Sequence, residues 1–269
     1  MPVEYENRLI LVEKRDSRVA VVTLNNPPMN LNSIPSMTEL GEAFRKLDGD
    51  PDALAIVLTG SGTKAFNVGS DLTGFKAMHG NFKGRKFKME TDMMNSIEFV
   101  SKPTICAIEG YCMGGGLELA CCCDIRIVAE NAVFAQPEIN LGLYPASGGL
   151  YRLPRIIGYP QALEMMYLGE SINAAEAYRL GLANKVVPSG TAVGKALEMA
   201  EKIAGKAPNA IRVIKEGSRK MWLKDSKDNH YTNLEYIEGI FNHYNGMEGV
   251  DAFLEKRAPA FRYNPETDG

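Results

Sequence analysis

Apolar residues recur along this chain with two periods, and the changes from one to the other mark out its elements. Residues 9–13 and 19–24 are short runs rich in Val and Leu, separated by the polar stretch Lys14-Arg15-Asp16-Ser17-Arg18, and read as a β-hairpin. Residues 25–32, with Pro27 and Pro28 among asparagines, predict a loop. Met37, Leu40, Phe44 and Leu47 fall on one helical face and predict a helix over 36–47, and 55–59 reads as a buried strand. Segment 64–72 fits neither period and reads as a loop that tucks Phe66 inward. The stretch 73–88, rich in Gly, Lys and Phe, reads equally as a solvated loop or as a mobile cover over a site. A helix over 89–100 is stopped by Ser101-Lys102-Pro103.

The most informative run spans 104–138. A β-branched segment, 104–108, passes through Glu109-Gly110-Tyr111-Cys112-Met113 into Gly114, Gly115 and Gly116, then into the apolar run 117–123 closed by Asp124. The reading is strand, tight turn, buried helix, with another short strand at 132–135. Beyond it come a loop over 139–149, helices over 150–157, 160–168 and 173–180, Gly181 as a helix stop, and a strand over 182–187. After Gly190 the strand pattern ceases, and 191–204, 209–223, 233–244 and 247–255 all read as helices. That change of character divides 1–189 from 190–269.

At 269 residues, 45% hydrophobic and 23% charged, the composition is that of an ordinary globular chain. A net charge of −3 gives no basic excess for nucleic acid, and no run of about twenty apolar residues suits a membrane helix. The acidic start lacks the pattern of a secretory signal, and Thr267-Asp268-Gly269 is not a peroxisomal address. Five cysteines, of which Cys121, Cys122 and Cys123 are contiguous, point to a reducing compartment and buried roles. His79, His230 and His243 have no ligand spacing, so no metal site is expected. The expected location is cytoplasmic.

Candidate chemistry sits in the glycine turn. Glycines there allow positive φ and close approach to the main chain, and the first turn of the following helix has unpaired N–H groups at the positive end of its dipole. Such a turn suits an anion, or an oxygen that becomes anionic during a reaction. Glu118 lies one turn into the helix among apolar neighbours, and Glu138 follows in Gln136-Pro137-Glu138.

The run from Gly110 through Gly114-Gly115-Gly116-Leu117-Glu118-Leu119-Ala120, then Cys123-Asp124-Ile125-Arg126 and Phe134-Ala135-Gln136-Pro137-Glu138, resembles the signature of the crotonase superfamily, the enoyl-CoA hydratases and isomerases. The resemblance implies an α/β fold: a crotonase-like spiral of ββα repeats with a C-terminal all-helical oligomerisation region that builds homotrimers, often paired as hexamers. It implies an acyl-CoA thioester as substrate, with coenzyme A part of the substrate and no other cofactor, and a place in fatty acid metabolism. The oxyanion hole would be the N–H groups of Ser70 and Gly115. By the same resemblance Glu118 would orient and deprotonate water, and Glu138 would deliver the α-proton. Substrate contacts would come from Met29, Leu31, Lys64, Ala65, Phe66, Val68, Asp71, Leu72 and Ala146, with Phe261 and Arg262 reaching the nucleotide across a subunit boundary.

An isomerase needs one acid–base shuttle, whereas hydration needs two groups near one water, so both glutamates favour a hydratase. Two acids in one pocket do not ionise together easily, and one is expected to have a raised pKa. Decarboxylase and thioesterase chemistry would use the same hole, and an inactive acyl-CoA-binding homologue would be expected to have lost Glu118, Glu138 or Gly115. A dinucleotide enzyme is rejected because Asn25-Asn26-Pro27 follows the first strands where a glycine fingerprint would be needed. Three positions depart from the superfamily pattern: Ser70 for a common alanine, Ala146 for a glycine, and a bulky Tyr144.

Overall fold

The computed structural model describes residues 8–72, 86, 88–222 and 244–264. The expected loop over 73–88 and helix over 233–244 lie outside these residues, apart from Lys86, Lys88 and Tyr244, as do the three histidines. The strands are β1 (Ile10–Lys14), β2 (Val19–Leu24), β3 (Ala55–Gly60), β4 (Ala65–Asn67), β5 (Thr104–Ile108), β6 (Tyr111–Met113), β7 (Ile125–Ala129), β8 (Val133–Ala135), β9 (Ile172–Asn173) and β10 (Lys185–Val187). One sheet has the order β1-β2-β3-β5-β7-β10 and a second the order β4-β6-β8-β9. The hairpin is as expected, with Ile10 opposite Leu24, while the other ladders of that first sheet, β2-β3, β3-β5, β5-β7 and β7-β10, are parallel.

Consecutive strands alternate between the sheets: β3 then β4, β5 then β6, β7 then β8. Parallel neighbours require a crossover, and helices α1 (Ile34–Asp48), α2 (Lys88–Glu98) and α3 (Gly115–Cys122) provide it, so the chain winds as a spiral of ββα turns. The corner from β5 to β6 depends on Gly110: its φ is +61°, and a Cβ there would stand 2.1 Å from Lys64 O.

Strand alternation gives the main sheet two buried faces. Ala20, Val22, Leu24, Ile56 and Leu58 pack with Met37, Leu40 and Phe44 of α1 and with Phe66. Val19, Val21, Ala55, Val57, Ile105 and Ala107 face the other way, against Ala192, Ala196 and Ala200. These alanines, four apart on a helix that follows β10, form a smooth strip that lets the helix lie close to the sheet.

Between β8 and β10 lie a 3₁₀ turn (Pro137–Leu141), α4 (Gly149–Ile157), α5 (Tyr159–Leu168) and α6 (Ala174–Arg179). Gly181 follows the α6 cap with φ +80°, as a helix stop should. Among the described residues the elements after 190 are the alanine-striped α7 (Ala192–Ala204), then α8 (Pro208–Met221) and α9 (Tyr244–Leu254). The strand β7 was not anticipated, because Arg126 interrupts its apolar run. That guanidinium is buried and donates to the carbonyls of Leu182 (2.6 Å), Cys123 (2.8 Å) and Ala120 (3.4 Å), closing the end of α3. The short strands β4 and β6 were also missed, having too few residues to display a period. Among the described residues no helix is long and apolar enough to cross a membrane, and no group of three or more His, Cys, Asp or Glu is placed to hold a metal ion.

Candidate active site

The glycine turn is built by close backbone contact. Gly114 takes φ +54° and its N–H donates to Ala135 O at 2.9 Å, fixing the start of α3 to β8. Gly116 has no room for a side chain, since a Cβ would stand 2.1 Å from Asn67 O. The first turn of α3 therefore rests directly on the end of β4. Gly69, at φ +88°, comes so near that its Cβ would lie 3.0 Å from Gly115 N.

Ser70, the residue after Gly69, and Gly115 both line one cavity, and the surrounding backbone bonds leave their amides out. Asn32 N–H donates to Gly69 O at 2.8 Å and Asp71 N–H to Asn32 O at 3.0 Å; Leu117 and Glu118 N–H close onto Gly114 O at 2.8 and 3.0 Å. None of these bonds uses the N–H of Ser70 or Gly115.

Three buried asparagines hold the segment in place, a role the sequence did not disclose. Asn67 Nδ2 donates to Asn30 O and, at 2.8 Å, to Asn32 Oδ1, while Asn67 Oδ1 accepts from Gly69 N–H at 2.8 Å. Asn30 Nδ2 donates to Ala65 O at 2.8 Å. Val68 N–H reaches Met29 O at 3.2 Å, so the 25–32 loop is locked against 64–72.

A cavity of about 120 Å³ opens over the turn, and Val68, Ser70, Leu72, Gly115, Glu118, Glu138 and Ala146 all line it. Met29, Leu31, Lys64, Ala65, Phe66 and Asp71 are not part of that lining. The Phe66 ring is in the core, as its inward reading expected, and Lys64 is exposed. Phe261 and Arg262 are not brought to the cavity within one chain. The Arg262 guanidinium stacks on the Tyr244 ring at 4.5 Å, and the next residue, Tyr263, lies beside Arg18 and Lys102, at the end of β2 remote from Leu24. Tyr144 stands exposed at the cavity rim.

Glu118 is 3% exposed, and its Oε1 accepts the N–H groups of Ser147 and Gly149, both at 2.8 Å. Burial pushes its carboxyl up to about 7, helped by the nearby charges of Glu138 and Glu90 and opposed by the two N–H bonds. Glu138 sits on the 3₁₀ turn, with Oε1 3.0 Å from where a Gly114 Cβ would be. Burial, then Glu90, raises its pKa too. Turned with its nitrogen toward the acid, the Gln136 amide donates to both Glu138 oxygens, at 3.0 and 3.1 Å.

A third carboxylate also belongs to the site. Glu90 of α2 is 1% exposed, and its Oε1 accepts from Ser70 Oγ at 3.0 Å. Its Oε2 accepts from Lys86 Nζ at 2.9 Å and from Ser147 Oγ at 2.8 Å; Lys86 Nζ also donates to Ser70 Oγ at 2.8 Å. The signal was present in the chain: Glu90 falls on the buried stripe that continues through Met93, Met94 and Ile97, where an acid is out of place unless partnered.

Backbone amides, one of them at a helix start, and carboxylates on the same cavity can serve chemistry beside a carbonyl whose oxygen gains charge. The comparisons agree with that class. The family model described as enoyl-CoA hydratase/isomerase matches residues 14–264, and the chain belongs to that family, within the crotonase superfamily. It is 35% identical to the short-chain-enoyl-CoA hydratase of Clostridium acetobutylicum, over 93% of this chain and 96% of that one. With the crotonyl-CoA hydratase of Syntrophomonas wolfei the identity is 36%, over 96% and 98% of the two chains. The crystal structure of an enoyl-CoA hydratase from Bacillus anthracis superposes with a TM-score of 0.91 at 34% identity, covering 95% of this chain and 99% of that one. The spiral with its helical C-terminal region is the crotonase fold.

Proposed function

We propose that this enzyme is a 2-enoyl-CoA hydratase, a lyase that adds water across the 2,3 double bond of the thioester to give a 3-hydroxyacyl-CoA. The thioester oxygen lies between the N–H groups of Ser70 and Gly115. Glu118, held by Ser147 and Gly149, orients a water and takes its proton as the hydroxyl adds to the β-carbon. The electron pair moves onto the thioester oxygen as an enolate, which two fixed amides stabilise more than the ground-state carbonyl; one such donor is worth about 3 to 4 kcal/mol of barrier. Glu138 then gives its proton to the α-carbon, and the charge returns from oxygen.

The observation that carries this reading is the pair of carboxylates on one cavity, Glu118 buried and Glu138 half-buried, both with raised pKa. A carboxyl raised to about 7, as that of Glu118 is, exchanges protons near neutral pH. A double-bond isomerase needs only one of them. The names of the two bacterial hydratase relatives support the same reaction. Coenzyme A enters only as part of the substrate, its pantetheine following the loops at Met29, Leu31 and 64–66. Phe261 and Arg262, remote from their own cavity, serve the nucleotide bound by a neighbouring subunit of a trimer or hexamer. Five free, buried cysteines suit the cytoplasm, and the reaction suits fatty acid breakdown.

A spectrophotometric panel of 2-enoyl-CoA and 3-enoyl-CoA thioesters tests the reading, with wild type beside Glu118→Ala and Glu138→Ala. Both variants are expected to lose hydration by at least about 100-fold. Hydration that survives Glu118→Ala, with isomerisation needing only Glu138, would assign the enzyme to the isomerases.

A further inference from the structure

We propose that Glu90 is a positioning residue for this reaction, holding the two active-site backbone segments through the hydroxyls of Ser70 and Ser147. The inference rests on the hydratase reading. Each serine serves the site twice. Ser147 gives its N–H to Glu118 and its Oγ–H to Glu90, both at 2.8 Å. Ser70 lends its N–H to the proposed oxyanion hole and its Oγ–H to Glu90, at 3.0 Å. One carboxylate thereby ties the oxyanion segment to the loop that grips the water-activating acid, across 20 and 57 residues of chain.

The charges that face Glu90 come from several elements: Lys86 on the segment before α2, Glu118 on α3 and Glu138 on the 3₁₀ turn. Lys86, 3% exposed, neutralises Glu90 and bonds Ser70 Oγ as well. A buried ion pair gains little over apolar packing as a source of stability, since desolvation offsets its attraction. This pair also bonds the hydroxyls of the two serines whose amides serve the reaction, which is the arrangement expected of a device for fixing geometry. The loop has a second anchor, Arg152 Nη1 donating to Ser147 O at 2.8 Å, so loss of the hydroxyl bond lets it shift without collapse.

Steady-state kinetics of Glu90→Gln, Ser147→Ala and the double variant with a short 2-enoyl-CoA test the proposal. Displacement of the gripping loop is expected to lower kcat by about 10-fold in Ser147→Ala and about 100-fold in Glu90→Gln, with KM within about twofold. Because Glu90 acts through Ser147, the double variant is expected to be no slower than Glu90→Gln alone. Glu90→Gln also removes a negative charge facing both acids, so the acid limb of its kcat/KM profile moves to lower pH. Folded variants with wild-type kcat and pH profile, or losses that multiply in the double variant, overturn the proposal. Should Glu90→Gln not fold, Ser147→Ala, which keeps the ion pair, decides: wild-type kcat in that variant overturns it. Absence of hydration by the wild type overturns the hydratase reading separately. Carbon-13 NMR titration of the Glu118 carboxyl then decides without substrate, a fall in Glu90→Gln or a change in Ser147→Ala supporting the coupling and identical titrations refuting it.

Discussion

Glu118→Gln isolates the cost of keeping a carboxylate in this cavity. The substitution preserves side-chain shape and an acceptor oxygen for the N–H groups of Ser147 and Gly149, and removes only the charge. Burial raises the carboxyl from 4.5 to about 7, so over that range the folded state holds a proton that the unfolded chain has lost. Wild-type stability from this group is therefore highest below pH 4.5 and falls as pH rises through 7. At 1.36 kcal/mol per pH unit, the full rise corresponds to about 3 kcal/mol, expressed by pH 8. Glutamine carries no such dependence. The variant is expected to exceed wild type by about 2 to 3 kcal/mol at pH 8 and by less than about 1 kcal/mol at pH 5, a Tm advantage of about 5 °C at the higher pH. Its hydration rate falls by about 100-fold or more, as removal of a general base requires. Thermal unfolding followed by circular dichroism at both pH values measures the first effect and the enoyl-CoA assay the second. A Tm difference equal at the two pH values, or a variant less stable than wild type at pH 8, would refute the reasoning.

Gly69→Ala places a methyl 3.0 Å from Gly115 N on a backbone at φ +88°. It is expected to cost about 1 to 2 kcal/mol of stability and, by obstructing one oxyanion donor, about 100-fold or more in kcat; a kcat within twofold of wild type would contradict the hole's placement. Ala196→Leu overfills the contact between α7 and the sheet, where Ala196 is wholly buried. It is expected to lower stability in urea by about 1 to 3 kcal/mol with kcat unchanged, and a loss under about 0.5 kcal/mol would mean that the helix lies less tightly than described.

What could be read in the chain was what local pattern encodes. The turn at Gly114, Gly115 and Gly116 announced itself because the period changes from strand to helix across it. Glu118 and Glu138 stood out beside that turn, their roles came from the resemblance that this run carries, and the structure brings both to one cavity. The inward placement of Phe66 and the helix stop at Gly181 also followed from local rules. The pattern was silent where partners come from distant segments. Arg126 read as a break in an apolar run because one of the carbonyls it satisfies, Leu182 O, lies 56 residues away. Asn30, Asn32 and Asn67 looked like ordinary loop residues, since only their mutual bonds across the 25–32 and 64–72 loops make them pins. Glu90 was the one such residue with a local trace, an acid on a buried stripe; its connection to Ser147 is a property of the fold.

The central claim is that the amides of Ser70 and Gly115 share one oxygen within reach of both glutamates. A crystal structure with an unreactive saturated acyl-CoA thioester bound tests it most directly. The account requires the thioester oxygen at about 3 Å from both amide nitrogens, with the carbons that follow it facing the carboxylates of Glu118 and Glu138. A thioester oxygen bonded to neither amide, or an acyl chain leading away from both acids, would contradict it.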